Sequence, residues 1–377
     1  MADFVIKELK FNNIETELKS IGFDESYYRT ASKKFKYKNL KIFDLTPAQA
    51  NILKQTALSC GADCATHREV ITGNIKTSDV ILGGSNHELT KIAEKLKSQP
   101  FKLSKLSDEI ISLINNKKQN VTKLVGILNI TPDSFSDGGK YFEPVNACNH
   151  ILTLIDDGAD IIDIGAESTK PFSEGVCAKE QIRRLKPVLK FIQNENLKIP
   201  VSIDTRSSEV ADFALNTGAS IINDVSGFDF DNKMPNIVSK YGAGIIIQHS
   251  KGTPDTMQIK PAYNNLIEEI FFALLEKIQI AENNNIKNII IDPGIGFGKT
   301  KENNFEILDR IEELYTLNKP VMVGISRKSF LGITDNNDEL KDSLSAALSY
   351  PLITKNVDFL RVHNVKLHKQ LLNTITF

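Results

Sequence analysis

Three residues that can accept hydrogen bonds, Asp204, Asn223 and Asp292, each stand at the close of a short run rich in isoleucine or valine. Two carboxylates and an amide brought together suit the edge of a planar heterocycle with several N–H groups, such as an aminopyrimidinone. A carboxylate can accept two such donors at once. Lys328, Arg361 and His363 supply positive charge of the kind that holds a phosphate-bearing ligand. Asn129 and Asp137 offer hard oxygen atoms suited to a cation such as Mg2+. No serine or cysteine stands out with a histidine base in the manner of a triad. That favours group transfer by positioning and leaving-group stabilisation over covalent catalysis.

Residues 126–139, Gly-Ile-Leu-Asn-Ile-Thr-Pro-Asp-Ser-Phe-Ser-Asp-Gly-Gly, show how such groups are presented. A short apolar strand runs into a polar loop at Asn129, an amide with no place in a buried strand unless it binds something. Pro132 stops the strand ladder. A strand end opening into an acidic, hydroxyl-rich loop is how α/β proteins present a ligand.

The pattern repeats along residues 121–377. Candidate strands lie at 125–130, 161–165, 201–204, 221–225, 244–249, 288–292, 321–326 and 359–365, with the clearest helices at 178–194, 208–216, 266–281, 304–315 and 342–352. Alternation of this number and size predicts an α/β fold, a (β/α)8 TIM barrel. An open doubly wound sheet is the structural alternative, but no Gly-x-Gly-x-x-Gly fingerprint follows the first strand. In a barrel the chemistry sits at the C-terminal strand ends. Reading those ends gives Asn129, Glu167 to Pro171, Asp204 to Arg206, Asn223 and Asp224, Gln248 and His249, Asp292 to Lys299, Ser326 to Ser329, and Arg361 with His363. Each has a plainer reading: Asp204 or Thr205 as a helix cap, Asn223-Asp224 as an Asx turn, Asp292-Pro293-Gly294 as a turn, His363 as a core histidine. Gly294-x-Gly296-x-Gly298 resembles a phosphate loop, a weak signal by itself. A packed barrel rim does not need polar groups at nearly every strand end.

Residues 1–120 read as a separate, small α+β domain. Thr46 caps a helix with Pro47 at its first position. A strand at 80–82 and helices at 89–96 and 106–114 follow. Cys60, Cys64 and His67 form a C-x3-C-x2-H cluster whose spacing is not a usual zinc pattern, and small buried thiols are the better account. The chain has 377 residues and a net charge of −1 from 46 basic and 47 acidic residues, which argues against nucleic acid as a partner. No apolar run approaches the roughly 20 residues of a membrane span. The N-terminus lacks a signal-peptide layout, and four cysteines in this length suggest a cytoplasmic location.

Residues 124–377 closely resemble dihydropteroate synthase. The resemblance rests on Asn-Ile-Thr-Pro-Asp-Ser-Phe-Ser-Asp-Gly-Gly (129–139), Ile-Gly-Ala-Glu-Ser-Thr-Lys-Pro (164–171), Ser-Ile-Asp-Thr (202–205) and Ile-Asn-Asp-Val-Ser-Gly (222–227). It continues through Asp-Pro-Gly-Ile-Gly-Phe-Gly-Lys (292–299), Gly-Ile-Ser-Arg-Lys-Ser-Phe (324–330) and Arg-Val-His (361–363), in family order. It implies a transferase of folate synthesis that joins 6-hydroxymethyl-7,8-dihydropterin diphosphate to 4-aminobenzoate. By motif, Asp204, Asn223, Asp292 and Lys328 would hold the pterin, with Thr169 also on the pterin diphosphate. Arg361 would stack on the pterin face and, with His363 and Asn129, bind the diphosphate. Asn129 and Asp137 would contact Mg2+. Phe135, Thr169, Lys170, Pro171, Phe297, Ser326 and Lys328 would form the aminobenzoate pocket. Asp137, Asp204, Lys328, Arg361 and His363 are the expected catalytic set. The first two loops would close over the substrates. A homodimer is expected by analogy with the family, and residues 1–120 resemble an extension seen in longer members.

One departure stands in the second loop, which reads Lys170-Pro171-Phe172 rather than Arg-Pro-Gly. Lysine keeps the charge and loses the bidentate fork. Phe172 predicts a tighter outer pocket and altered sulfonamide sensitivity, unless it points away from the site. Two rival functions differ in kind. Pterin-binding methyltransferases that serve corrinoid proteins need no diphosphate site, against the basic residues present here. A degenerate, binding-only barrel would be expected to lack first-loop or strand-eight charges, and all of these are present.

Overall fold

The structure is a computed structural model and describes residues 7, 14–115, 121–130, 144–167, 175–252, 261–333 and 337–375. The chain divides into two compact units, Met1–Lys118 and Gln119–Phe377, a boundary two residues before the one read from the sequence.

In the first unit an antiparallel sheet of order β1-β3-β2 is built from β1 (Tyr37–Leu45), β2 (Asp63–Thr66) and β3 (Ser78–Ser85). Helices Pro47–Ser59, Asn86–Leu96 and Leu103–Asn115 pack on it, with Leu82 of β3 and Leu53, Leu89, Ile92 and Leu96 of the helices fully buried. Two of these helices begin with capping boxes, Thr46 with Gln49 and Ser85 with Glu88, which satisfy otherwise orphaned N–H groups. β1 and β2 escaped the sequence reading. β1 carries lysines and an asparagine on a half-exposed edge, so its alternation is weak. The His67 ring accepts the Glu69 N–H as a local cap, and the Cys64 thiol lies in the core, where burial pushes its pKa up to about 11.

The second unit is a ring of eight parallel strands. They are β4 (Lys123–Asn129), β5 (Ile161–Gly165), β6 (Val201–Asp204), β7 (Ile221–Asp224), β8 (Gly244–Gln248), β9 (Ile289–Asp292), β10 (Met322–Val323) and β11 (Phe359–Val362), ordered β10-β11-β4-β5-β6-β7-β8-β9. The Ile291–Val321 bridge closes the ring between β9 and β10. This is the predicted TIM barrel, and helices Ala178–Asn194 and Ser208–Asn216 fall on their predicted bounds.

Several elements differ from the sequence reading, among them the helix expected at 342–352, which begins four residues earlier and runs Asp338–Thr354. β10 is two residues long rather than six, because only Met322 and Val323 pair with β11, while Val321 keeps an isolated bridge to Ile291. β11 stops at Val362, where the next N–H, that of His363, goes to Ser326 Oγ at 3.1 Å. The helix expected at 304–315 is a helix, Lys301–Asp309, followed by a 3-10 turn, Ile311–Leu317. Among the described residues no helix is long and apolar enough to cross a membrane.

The inside of the barrel is layered. Val125, Ile161, Ile246 and Met322, with Ile221, Ile290 and Phe359 against them, fill the end where the strands begin. Side chains recur on one face every second residue. One step along the strands, Ile161 gives way to Asp163, Ile221 to Asn223, Ile246 to Gln248, Ile290 to Asp292 and Phe359 to Arg361. An apolar floor thus becomes a polar layer.

Candidate active site

Arg361 is the centre of the polar layer. Its Nε donates to Asp163 Oδ2 at 2.6 Å and its Nη2 to Asp204 Oδ2 at 2.7 Å. Asn223 Nδ2 donates to the same Asp163 oxygen at 3.0 Å. These are short, charge-assisted contacts within a low-dielectric core. Burial works against the guanidinium charge, but Asp163 and Asp204 hold its pKa above the ordinary arginine value. Burial pushes the Asp204 carboxyl up to about 7, with Arg361 pulling it back and Asp163 adding to the rise. Asp292 is also raised by burial, and Lys328 pulls it back.

The second atoms of these groups define what the layer lacks. Asp163 Oδ1, Asp204 Oδ1, Asn223 Oδ1 and the Ser202 hydroxyl are buried and have no hydrogen-bond partner among the described residues. Buried polar groups are almost always satisfied, so several orphaned acceptors at one level of a barrel call for a ligand that brings donors.

Lys328 reaches into the same space. Its Nζ donates to Ile295 O and lies 4.8 Å from the centre of the Phe297 ring. Burial lowers its pKa to about 8, although Asp292 acts to raise it. Ser326 and His363, on neighbouring strand ends, meet through Oγ and Nδ1 at 2.9 Å. No triad-like serine and histidine pair was legible in the sequence, because the two residues are 37 apart and meet only when β10 and β11 lie side by side. Ser326 Oγ also accepts the His363 backbone N–H. Which of Oγ and Nδ1 donates follows the tautomer of the His363 ring. Asn129 ends β4 opposite Gly165, where its Oδ1 would come within 3.2 Å of a Cβ.

Several plain readings also hold. Asp224 accepts from Ser226 N, Ser226 Oγ and Phe228 N, so it shapes the turn after β7 while Asn223 faces the barrel interior. Asp292 Oδ1 accepts the Gly294 N–H at 2.7 Å. Thr205 Oγ1 accepts the Ser207 N–H, and Ser207 itself caps the following helix. Two glycines of the sixth loop, Gly294 and Gly298, serve close packing against neighbouring backbone. A Cβ at Gly294 would lie 1.9 Å from His249 O, and one at Gly298 would lie 2.3 Å from Lys251 O. Beneath this loop buried Lys299 donates to His249 Nδ1 at 3.0 Å and to Phe297 O at 2.9 Å. Burial, with Lys299 beside it, lowers the His249 pKa to about 2, so the imidazole is neutral.

The structure therefore brings together Asp204, Asn223, Asp292, Lys328, Arg361, His363, Ser326 and Phe297 around the mouth of the barrel. Asp137 and Phe135 of the first loop, and Thr169, Lys170, Pro171 and Phe172 of the second, lie outside the described residues. Sequence reasoning missed Asp163, which sits inside a strand, two residues before its end. The signal was a lone carboxylate in a run of isoleucines. It also left Glu167 without a role. This carboxylate accepts from Val176 N at 3.0 Å, Arg206 Nη2 at 3.1 Å and Gln181 Nε2 at 3.3 Å.

Comparison with known proteins agrees with this geometry. A model of the pterin binding enzyme family matches residues 125–363. The dihydropteroate synthase of Clostridium beijerinckii is 42% identical over 259 residues, covering 67% of this chain and 93% of that protein. The bifunctional dihydropteroate synthase/dihydropteroate reductase of Helicobacter pylori is 33% identical over 377 residues, covering 98% of this chain and 97% of that one. The chain spans 40% of the length of a probable bifunctional folylpolyglutamate synthase/dihydropteroate synthase of Haloferax volcanii, at 33% identity. The crystal structure of dihydropteroate synthase from Anaplasma phagocytophilum, with bound 6-hydroxymethylpterin-monophosphate, is similar with a TM-score of 0.61. It is 41% identical, over 67% of this chain and 98% of that one. With its polar barrel layer and these matches, the chain belongs to the pterin-binding enzymes and, within them, to the dihydropteroate synthase family.

Proposed function

We propose that the polar layer holds the pterin in the family's reaction, in which 6-hydroxymethyl-7,8-dihydropterin diphosphate and 4-aminobenzoate give 7,8-dihydropteroate and diphosphate. The observation that carries this reading is the set of orphaned acceptors, Asp204 Oδ1 and Asn223 Oδ1, beside Asp292. An aminopyrimidinone presents N–H donors along one edge and satisfies them together. Arg361 stacks on the pterin face and, with His363, Asn129 and Lys328, meets the diphosphate. Phe297, Ser326 and Lys328 line the aminobenzoate side, completed in the family motif by Phe135, Thr169, Lys170 and Pro171.

The exocyclic C–O bond breaks with its electron pair leaving on diphosphate, the amine nitrogen forms the new C–N bond, and the amine then gives up one proton. Lys328, Arg361 and His363 offset the charge gathering on the leaving group. The electron-rich pterin spreads the positive charge left on carbon, and the Asp204 carboxylate stabilises it. An isotope effect at that carbon typical of tight in-line displacement would count against this dissociative course.

Mg2+ fits the donor set in one respect: Asn129 ends β4 with a hard carbonyl oxygen at the mouth of the barrel, and Asp137 of the family motif would join it. Such an ion, bound by one or two protein oxygens and the substrate phosphates, would neutralise the diphosphate. A cytoplasmic homodimer completes the reading. The described cysteines are all free, and sedimentation of the purified protein tests the assembly.

The deciding assay is diphosphate release with pterin diphosphate, Mg2+ and 4-aminobenzoate, omitting each in turn. Release that depends on aminobenzoate and yields dihydropteroate supports the reading, and tight pterin binding without product sinks it. The full-length match to the Helicobacter pylori protein favours a second activity, reduction of the dihydropteroate product by a reduced nicotinamide or flavin. Adding each reductant to the completed reaction and looking for tetrahydropteroate tests it. No product above the enzyme-free control removes that reading and leaves the first intact.

A further inference from the structure

The turn that presents Ser326 and Lys328 is held from outside the barrel by one helix. Arg327, between them, has a left-handed backbone (φ 57°), a conformation that is costly for a non-glycine residue and persists where its surroundings over-determine it. Its side chain is tied on every edge. Nε donates to Asp342 Oδ1 at 2.7 Å and Nη2 to Asp342 Oδ2 at 2.8 Å, a bidentate pair. Nη1 donates to Asp338 Oδ2 at 2.5 Å, and the Arg327 backbone N–H donates to Ser345 Oγ at 3.2 Å. Asp338, Asp342 and Ser345 follow one another at the i, i+4, i+7 spacing of a single face of helix Asp338–Thr354.

Asp342 also reaches the neighbouring strand end. The Asn364 side-chain amide donates to Asp342 Oδ2 at 3.2 Å, and Asn364 Oδ1 accepts the Leu367 N–H at the start of helix Val365–Ile375. Asn364 directly follows His363. One carboxylate, 5% exposed, is thus bonded to the residue before Lys328 and to the residue after His363. The same two strand ends are joined on the inner side by the Ser326–His363 hydrogen bond.

We propose that Asp342 is a positioning residue. By clamping Arg327 in its left-handed turn and holding Asn364, it fixes the relative placement of Lys328 and the Ser326–His363 pair. This rests on the reading of Lys328 and His363 as contacts to the pterin diphosphate. It makes no claim that Asp342 touches substrate, since the clamp lies behind the turn. Arg327 accordingly anchors the turn, and its three charge-assisted bonds to carboxylates leave its guanidinium committed.

The test is Asp342→Asn, which keeps the shape and one acceptor and removes the charge. Glu339→Gln, on an exposed position of the same helix, is the control. Two readouts are needed. The first is the rate of condensation, where the variant is expected to lose roughly tenfold to a hundredfold in kcat, with a smaller change in KM for 4-aminobenzoate. The second is the 15N spectrum of the histidine rings without substrate, where the His363 signals are expected to move toward those of a free imidazole. Glu339→Gln should change neither. Unmoved His363 signals overturn the proposal whatever the rate, and so does a kcat loss that follows thermal stability alone. Should Asp342→Asn fail to fold, Arg327→Lys keeps the charge, loses the fork and is read the same way. A wild-type chain inactive in condensation would sink the functional reading, while the ring spectra still decide the clamp.

Discussion

Asp204 gives one oxygen to Arg361, at 2.7 Å from Nη2, and keeps the other buried with no partner among the described residues. The first contact keeps a carboxylate available in a site where burial alone would favour the neutral acid. The second leaves an acceptor for a ligand. Because the Asp204 pKa is pushed up to about 7, its ionised form grows as pH rises through neutrality. Binding of 6-hydroxymethylpterin is therefore expected to tighten between pH 6 and 8. Calorimetry across that range checks this, with Asp204→Asn expected to be flat and weaker by about tenfold or more, the cost of losing a charged acceptor. The sign for folding is the opposite. A carboxyl with a raised pKa stabilises the fold at acid pH, and that contribution is lost as pH climbs from about 4 to about 7.

Lys328 sets a limit on the alkaline side. Its pKa is lowered to about 8 by burial, with Asp292 and Asp204 raising it and Arg361 lowering it. Affinity for the pterin diphosphate should fall as the amine loses its proton above pH 8. Lys328→Gln should remove that limb and cut kcat/KM by about a hundredfold, the scale of losing one preorganised contact to developing charge. An alkaline limb unchanged in the variant would remove Lys328 from this role. A lowered lysine pKa also means that this group favours the folded state increasingly as pH rises from 8 toward the ordinary lysine value.

Gly294 and Gly298 should be sharply unequal to Gly242, although all three have left-handed backbones. Gly294 and Gly298 have φ of 70° and 65° and backbone oxygens where a Cβ would stand, whereas Gly242, with φ 62°, has open space. Alanine at Gly294 is expected to cost about 3 kcal/mol or more, combining backbone strain with overpacking. Alanine at Gly242 should cost about 1–2 kcal/mol, from the left-handed backbone alone. Denaturant unfolding of the two variants measures the difference. Equal values would mean that the close approach to His249 relaxes freely.

Metal dependence gives a further outcome. If the proposed cation serves the leaving group, chelation of divalent ions should stop diphosphate release while leaving binding of a pterin without phosphates within about twofold. Asn129→Ala should raise the Mg2+ concentration for half-maximal rate by about tenfold, since few protein ligands hold such an ion. An unchanged Mg2+ requirement in Asn129→Ala would leave the cation to other groups.

The sequence by itself determined the barrel and most of its rim. Runs such as Ile161–Gly165 and Ile289–Asp292, each followed by an amphipathic helix, specify a parallel sheet, because only strands covered on both faces are apolar throughout. Closing residues such as Asp204 and Asn223 marked the C-terminal ends, where a barrel opens to its ligands. The tertiary structure alone decided which polar residues pair. Asp163 and Arg361 are 198 residues apart and meet because β5 and β11 are each hydrogen-bonded to β4 and turn these side chains inward. It also decided that Ser326 meets His363, that Arg327 turns outward to Asp342, and that Asp224 shapes a turn while Asn223 faces inward. Strand periodicity places a residue on a face, whereas its partner depends on strand order and register, which no local spacing records.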